Sequence, residues 1–187
     1  MNTLLSHTKR VEFIKTVAAT GTPERLTSGA ISAITRLGAN NRFVEATVSP
    51  NPHCMIPGSE IVITGATEPE FNGTFTILKR SATDKVIFEA PGVSASVTGT
   101  PIYYANVWFR HAILLGLKAY RTTNLGIVYV GGSSVDGEQP YGTLPYDPGI
   151  AGETYLPASN AGAAYENLAD YYVDVLNNAD GLLVRYL

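Results

Sequence analysis

The sequence predicts an all-β protein, and three observations carry that expectation. Between Pro57 and Pro91, apolar residues recur at every second position: Ile61 and Ile63 alternate with Glu60, Val62 and Thr64, Phe75 and Ile77 with Thr74 and Thr76, and Val86 and Phe88 flank Ile87. A period of two buries one face of a strand. Turn chemistry separates these runs, at Gly65 to Pro69, Asn72-Gly73 and Ser81 to Asp84, so the stretch reads as a compact antiparallel meander. The same alternation starts earlier, where Val44, Ala46 and Val48 interleave with Glu45 and Thr47.

Taken in order, VEFIKTVAAT (11–20) reads as a strand, with Val11, Phe13 and Val17 set against Glu12, Lys15 and Thr16, and it ends at the turn Gly21-Thr22-Pro23. The segment Leu26 to Leu37 fits either a weak strand or a connection, and Gly38 to Asn41 is a clear break that suits a module boundary. After the meander, Val93 to Tyr104 is one more strand. Val107 to Ala119 is dense in apolar residues, and Gly116 with its branched neighbours favours a buried strand over a helix. It is expected to form a hairpin with Ile127–Val130 across the turn at Arg121 to Gly126. Residues 133–163 are broken throughout by Gly and Pro and read as one long loop; structureless loops longer than about 15 residues are uncommon in compact domains and usually functional or disordered. In the tail, AAYENLADYYVDVLNN fits a helix on propensity, with Leu168, Tyr171, Tyr172 and Val175 near helical spacing. The favoured reading has Tyr172–Val175 and Leu182–Leu187 as partner strands around the turn from Asn177 to Gly181.

Composition bounds the function. At 187 residues folding buries roughly 70% of the surface of the unfolded chain, so a real core is available. Charged residues are only 16%, against roughly 25% in ordinary soluble domains, while tyrosines number 11. A lightly charged, tyrosine-rich surface is cheap to desolvate and suits self-association or docking. The net charge of −3, with no basic cluster larger than Lys9-Arg10 or Lys79-Arg80, argues against nucleic acid as a partner. The lone cysteine, Cys54, allows no intramolecular disulfide and no cysteine-rich zinc site. No signal-peptide core opens the sequence and no apolar run has membrane-spanning length, so neither export nor a membrane partner is expected.

The residues TTNLGIVYVGGSSV (122–135), the loop carrying Pro148-Gly149 and Gly152-Glu153, and NLADYYVDVLNNADGLLVRYL (167–187) together resemble a small β-sandwich module of tailed-bacteriophage virion proteins. VEFIKTVAATGTPERL (11–26) looks like its first strand, and the resemblance covers roughly residues 8–35 and 106–187. Pro57-Gly58, Ile61-Val62-Ile63, Gly65-Ala66 and Phe71–Ile77 are similar to another short β module of phage structural proteins. The resemblance implies a β-sandwich built from both chain ends (1–37 and 106–187) with a small antiparallel β module (38–105) inserted. It further implies a non-enzymatic virion component, assembled in the host bacterial cytoplasm. Such a component would bind capsid or neck in many symmetric copies, as head decoration or as a collar or head–tail connector accessory. Its partners would be copies of itself and the major capsid, portal-vertex or tail proteins. The alternative is a receptor- or carbohydrate-binding module of a tail or head fibre. Leu125, apolar in a turn position, and Tyr141, Leu144, Tyr146 and Tyr155 in the long loop are the expected interface residues.

Candidate chemistry is sparse, and no cofactor or metal is expected. A catalytic thiol needs a positioned base, and His53 beside Cys54 is better read as a loop histidine next to a partly buried thiol. His7, His53 and His111 are scattered rather than spaced as metal ligands. Asp136, Glu138 and Asp147 could serve a hydrolase or a hard cation, but Asp136-Gly137 and Asp147-Pro148 are explained by turn formation. Gly131 to Ser134 lacks the lysine and following helix of a phosphate-binding loop. Asn72-Gly73-Thr74 fits a glycosylation acceptor but reads more strongly as a hairpin turn. Trp108 with Phe109, Tyr165, Tyr171 and Tyr172 could stack sugars, although aromatics in strands more often serve the core.

Overall fold

The computed structural model describes residues 11–38, 42–49, 55–109, 112–116, 128–133, 135, 144–146, 153–156, 166–177 and 180–186. Among them every regular element is a strand or a three-residue 3₁₀ turn. The chain opens with β1 (Val11–Thr16) and β2 (Glu24–Arg25). Next come β3 (Ser28–Leu37), β4 (Phe43–Ser49), β5 (Glu60–Ala66), β6 (Gly73–Ala82), β7 (Lys85–Glu89) and β8 (Gly99–Asn106). The rest comprises β9 (Trp108–Phe109), β10 (Ala112–Gly116), β11 (Val128–Gly131), β12 (Leu144–Tyr146), β13 (Glu153–Leu156), β14 (Glu166–Asn167), β15 (Tyr172–Val175) and β16 (Gly181–Tyr186).

Strands β3 to β8 close into a six-stranded barrel, ordered β3-β4-β7-β6-β5-β8. The chain ends supply two four-stranded sheets, β1-β16-β10-β13 and β12-β11-β15-β2, and β9 pairs with β14. The barrel follows directly from the alternation: Val44, Ala46, Val48, Ile61, Ile63, Val86 and Phe88 are all buried. Each such side chain contributes about 1.5–3 kcal/mol when fully buried, Ala less. Outward-facing Glu45 instead accepts from Lys85 Nζ at 2.8 Å and Ser81 Oγ at 2.7 Å. The core continues from the barrel into the two sheets, where Phe13, Val130, Val173, Leu182 and Val184 join the same apolar cluster.

Two devices close the barrel. Between β5 and β8 the register slips at Gly65, whose φ of +81° belongs to the left-handed region and whose notional Cβ would lie 2.8 Å from the Thr100 carbonyl oxygen. Only glycine fits there. On β3, where β8 reaches only Ser28 to Ala30, residues 94–98 take over: Val97 N–H donates to Ile34 and Arg36 N–H to Ala95. The Arg36 side chain, 3% exposed, then donates to the carbonyls of Ser94, Ala90 and Pro91 at 2.7, 2.9 and 2.6 Å while lying over Phe71. Glu70 accepts from Ser94 N–H at 3.1 Å beside it.

Several expectations need correction. The segment 28–37, ambiguous in sequence, is a full barrel strand, so the strand topology draws the barrel from Ser28 to Asn106 and makes the break after Leu37 a hairpin within it. Neither expected hairpin in the sandwich pairs as such. β10 lies between β16 and β13, whereas β11 lies between β12 and β15 in the opposing sheet, and β15 and β16 are likewise split between sheets. Val173, Asp174 and Val175 of β15, and Leu182, Leu183 and Val184 of β16, are buried on successive residues, so both strands are covered on both faces. Local turn signals do not show which sheet such a strand joins. The long 133–163 loop also contains two strands, β12 and β13, each at a sheet edge, the place in a sheet where a proline such as Pro145 is tolerated. The helical alternative for the tail is excluded by β15 and the 3₁₀ turn Leu168–Asp170.

Candidate functional site

The groups with the densest polar chemistry sit where the barrel meets the sandwich. Period two puts residue 15 on the same face as Phe13 and Val17, so β1 carries Lys15 inward, against the sequence reading that set it outside. Its side chain is 1% exposed. Burying an ammonium demands full compensation, and Nζ finds Glu24 Oε2 at 2.6 Å, the Ser28 carbonyl at 3.0 Å and Ser28 Oγ at 3.1 Å. Glu24 in turn accepts from Ala18 N–H at 3.0 Å through its other oxygen. The ion pair therefore ties β1 and β2 of the sandwich to the first residue of barrel strand β3.

Arg25, the next residue, lies with its guanidinium between two rings, 4.6 Å from the centroid of Tyr104 on β8 and 4.9 Å from that of Tyr172 on β15. A planar cation stacked on two faces joins a barrel strand to a sandwich strand, and Nη1 also donates to the Ala169 carbonyl. On the other side Asn167 does similar work. Its Oδ1 accepts from Val107 N–H at 2.9 Å and Ala169 N–H at 3.1 Å, and its Nδ2 donates to Asn106 Oδ1 at 3.1 Å. Both backbone donors are buried, and leaving each unmet would cost about 1–3 kcal/mol. Asp174, also buried, accepts from Gly21 N–H at 3.0 Å and so pins the loop between β1 and β2.

Two grooves flank this junction. One of about 700 Å³ is lined by Lys15, Glu24, Arg25, Ile102, Tyr104 and Tyr172 among others. The second, of about 640 Å³, runs between Ile56, Glu60, Asn106 and Trp108. At the far end of the barrel Leu37 and Phe43 are cross-strand partners, 37% and 41% exposed, and Val93 projects from the neighbouring 90–94 loop.

Of the residues expected at interfaces, Leu144 and Tyr146 fall on edge strand β12 and Tyr155 on edge strand β13; Tyr141 and Leu125 lie outside the described residues. So do His7, His53, Cys54, His111, Asp136, Glu138, Asp147 and Tyr165. Trp108 is no core residue: it stands 63% exposed. Tyr172 stacks on Arg25 instead of joining it, and Tyr171 packs against the core. Lys15, Arg25 and Asn167 were not singled out by sequence. The parity of 13, 15 and 17 could have exposed Lys15; Arg25 carries no local signal, because its side-chain partners lie far along the chain, and Asn167 shows locally only as a cap for Ala169 N–H, while its bonds to Val107 and Asn106 reach across the chain. Among the described residues no three His, Cys, Asp or Glu side chains gather as a metal site, and no helix is long and apolar enough to cross a membrane. No family model, no curated protein and no solved structure matches this chain.

Proposed function

We propose that this chain is a non-enzymatic structural component of a tailed-phage virion, binding capsid or neck in many symmetric copies. The supporting observation is the junction: a buried ion pair, a doubly stacked arginine and an asparagine bridge join barrel and sandwich into one block. Such a block transmits load between neighbours instead of opening around a substrate. Its far end presents Leu37, Phe43 and Val93, apolar side chains that gain by being covered. The edge strands β12 and β13, which carry Leu144, Tyr146 and Tyr155, add a second surface for copies of itself. Weak contacts repeated by symmetry then add up.

The test is quantitative mass spectrometry of purified particles. The chain is expected at a fixed ratio to the major capsid subunit, on the order of hundreds of copies for decoration or roughly a dozen for the neck. A Phe43→Asp, Val93→Asp double variant, which leaves the barrel interior untouched, is expected to fold and drop out of particles. Particles that never contain the wild-type chain overturn the reading.

A further inference from the structure

Trp108 is the chain's one tryptophan, and its exposure puts a large aromatic face at the mouth of the 640 Å³ groove. That size lies within the roughly 300–1,000 Å³ typical of small-molecule sites. The groove's lining is chemically mixed. Trp108, Ile56 (52% exposed) and Pro57 supply apolar surface, while Ser59, Glu60 and Asn106 supply polar groups.

The polar groups have spare capacity that can be counted atom by atom. Glu60 Oε2 accepts from Asn106 Nδ2 at 3.0 Å, and Glu60 Oε1 meets no donor among the described residues. Asn106 spends its oxygen on Asn167 and one amide proton on Glu60, which leaves its second amide proton. Ser59 Oγ donates to the Ile56 carbonyl at 2.7 Å and keeps its lone pairs. Ser59 Oγ and Glu60 Oε1 therefore offer acceptors and Asn106 one amide donor beside the indole face, with Tyr186 also in the groove wall. Among the described residues Glu60 forms no ion pair, so an anionic ligand would be repelled. A quaternary ammonium ion would use the indole and the carboxylate but leave the Asn106 amide proton unmatched. A neutral sugar ring matches these four side chains, with a C–H face for the indole, hydroxyl protons for Glu60 and Ser59, and a hydroxyl oxygen for Asn106.

We propose that the groove between Trp108 and Glu60 is a binding site for a neutral pyranose, stacked on the indole and oriented by Glu60 and Asn106. The site stands apart from the virion reading and is tested on the purified full-length chain. Because there is one tryptophan, emission excited at the red edge, where tyrosine does not absorb, reports this groove alone. The chain is titrated with maltose, cellobiose and N,N′-diacetylchitobiose up to about 50 mM, a range that covers millimolar dissociation constants. At least one disaccharide should give a saturable emission change, and Glu60→Ala, an exposed position, should weaken it about tenfold or more with an unchanged thermal melt. Saturation-transfer NMR with the same sugar should lose its signal in Trp108→Ala. The proposal is overturned if none of the three sugars saturates, if Glu60→Ala binds as well as wild type, or if tetramethylammonium chloride saturates the emission and the sugars do not. A failed titration leaves the particle-incorporation test unaffected.

Discussion

Lys15 shows how one residue can hold a junction at a cost. Taking its ammonium out of water is unfavourable by several kcal/mol, and Glu24 and the two Ser28 oxygens help to offset that. The two partners are unequal: the Lys15 side chain is 1% exposed and that of Glu24 is 28% exposed. Removing the carboxylate takes a counter-charge from a buried cation, whereas removing the cation leaves an anion that water can still reach. Glu24→Ala is therefore expected to destabilise by about 3–5 kcal/mol, and Lys15→Met by clearly less, because it fills the same space without charge. Urea midpoints of the two variants check the ranking, and equal losses would mean that the pair is not what anchors β1 to β3.

At the scale of the elements, the segment 90–98 shows how a barrel with an incomplete ladder is finished by side chains. Glu68 accepts from Thr98 through both oxygens, at 2.7 Å from its N–H and 2.6 Å from its hydroxyl, and these bonds lower the carboxyl's pKa. Glu70 is held down to about 2, first by the Ser94 side chain and then by backbone donors at Glu70, Ser94 and Val93. A carboxylate whose folded pKa is depressed contributes stability above its unfolded value of about 4.3 and loses it as pH falls through the folded value. The tether should accordingly persist through mild acid and fail only as pH approaches about 2. Amide exchange at Val97 and Arg36, followed from pH 5 downward, is expected to accelerate at that lower end, and Glu70→Gln should make it fast at every pH. Legibility divides along the same line. Strands such as Phe43–Ser49 and Lys85–Glu89 were readable because alternation is a local property of Val44, Ala46, Val86 and Phe88. Partners were not. Nothing near Val173 or Leu182 says that two strands five residues apart belong to different sheets, and nothing near Trp108 says that its side chain is left exposed. The candidate site is therefore the less readable part, being made of residues brought together only by that pairing.

For the whole molecule, the core runs unbroken from barrel to sandwich, so the two are expected to melt together. The barrel is nonetheless a detour: the chain leaves the sandwich after Arg25 and returns at Trp108, and at its neck Ser28 stands opposite Tyr104. Before that detour is closed, bringing β1 onto β16 must overcome the entropy of a long wandering connection, a cost that grows with the logarithm of its length. Once closed, the detour is a short staple. Assembly should then run in a fixed order in time, the insert first and the flanking sheets after it. Gly65→Ala, whose strain at the barrel seam is about 1–3 kcal/mol, should delay the protection of β16 amides in pulse-labelled refolding, although β16 pairs with β1 and β10 and not with the strand that carries Gly65. Protection of β16 at the wild-type rate in that variant would mean that the flanks come together without waiting for what lies between them.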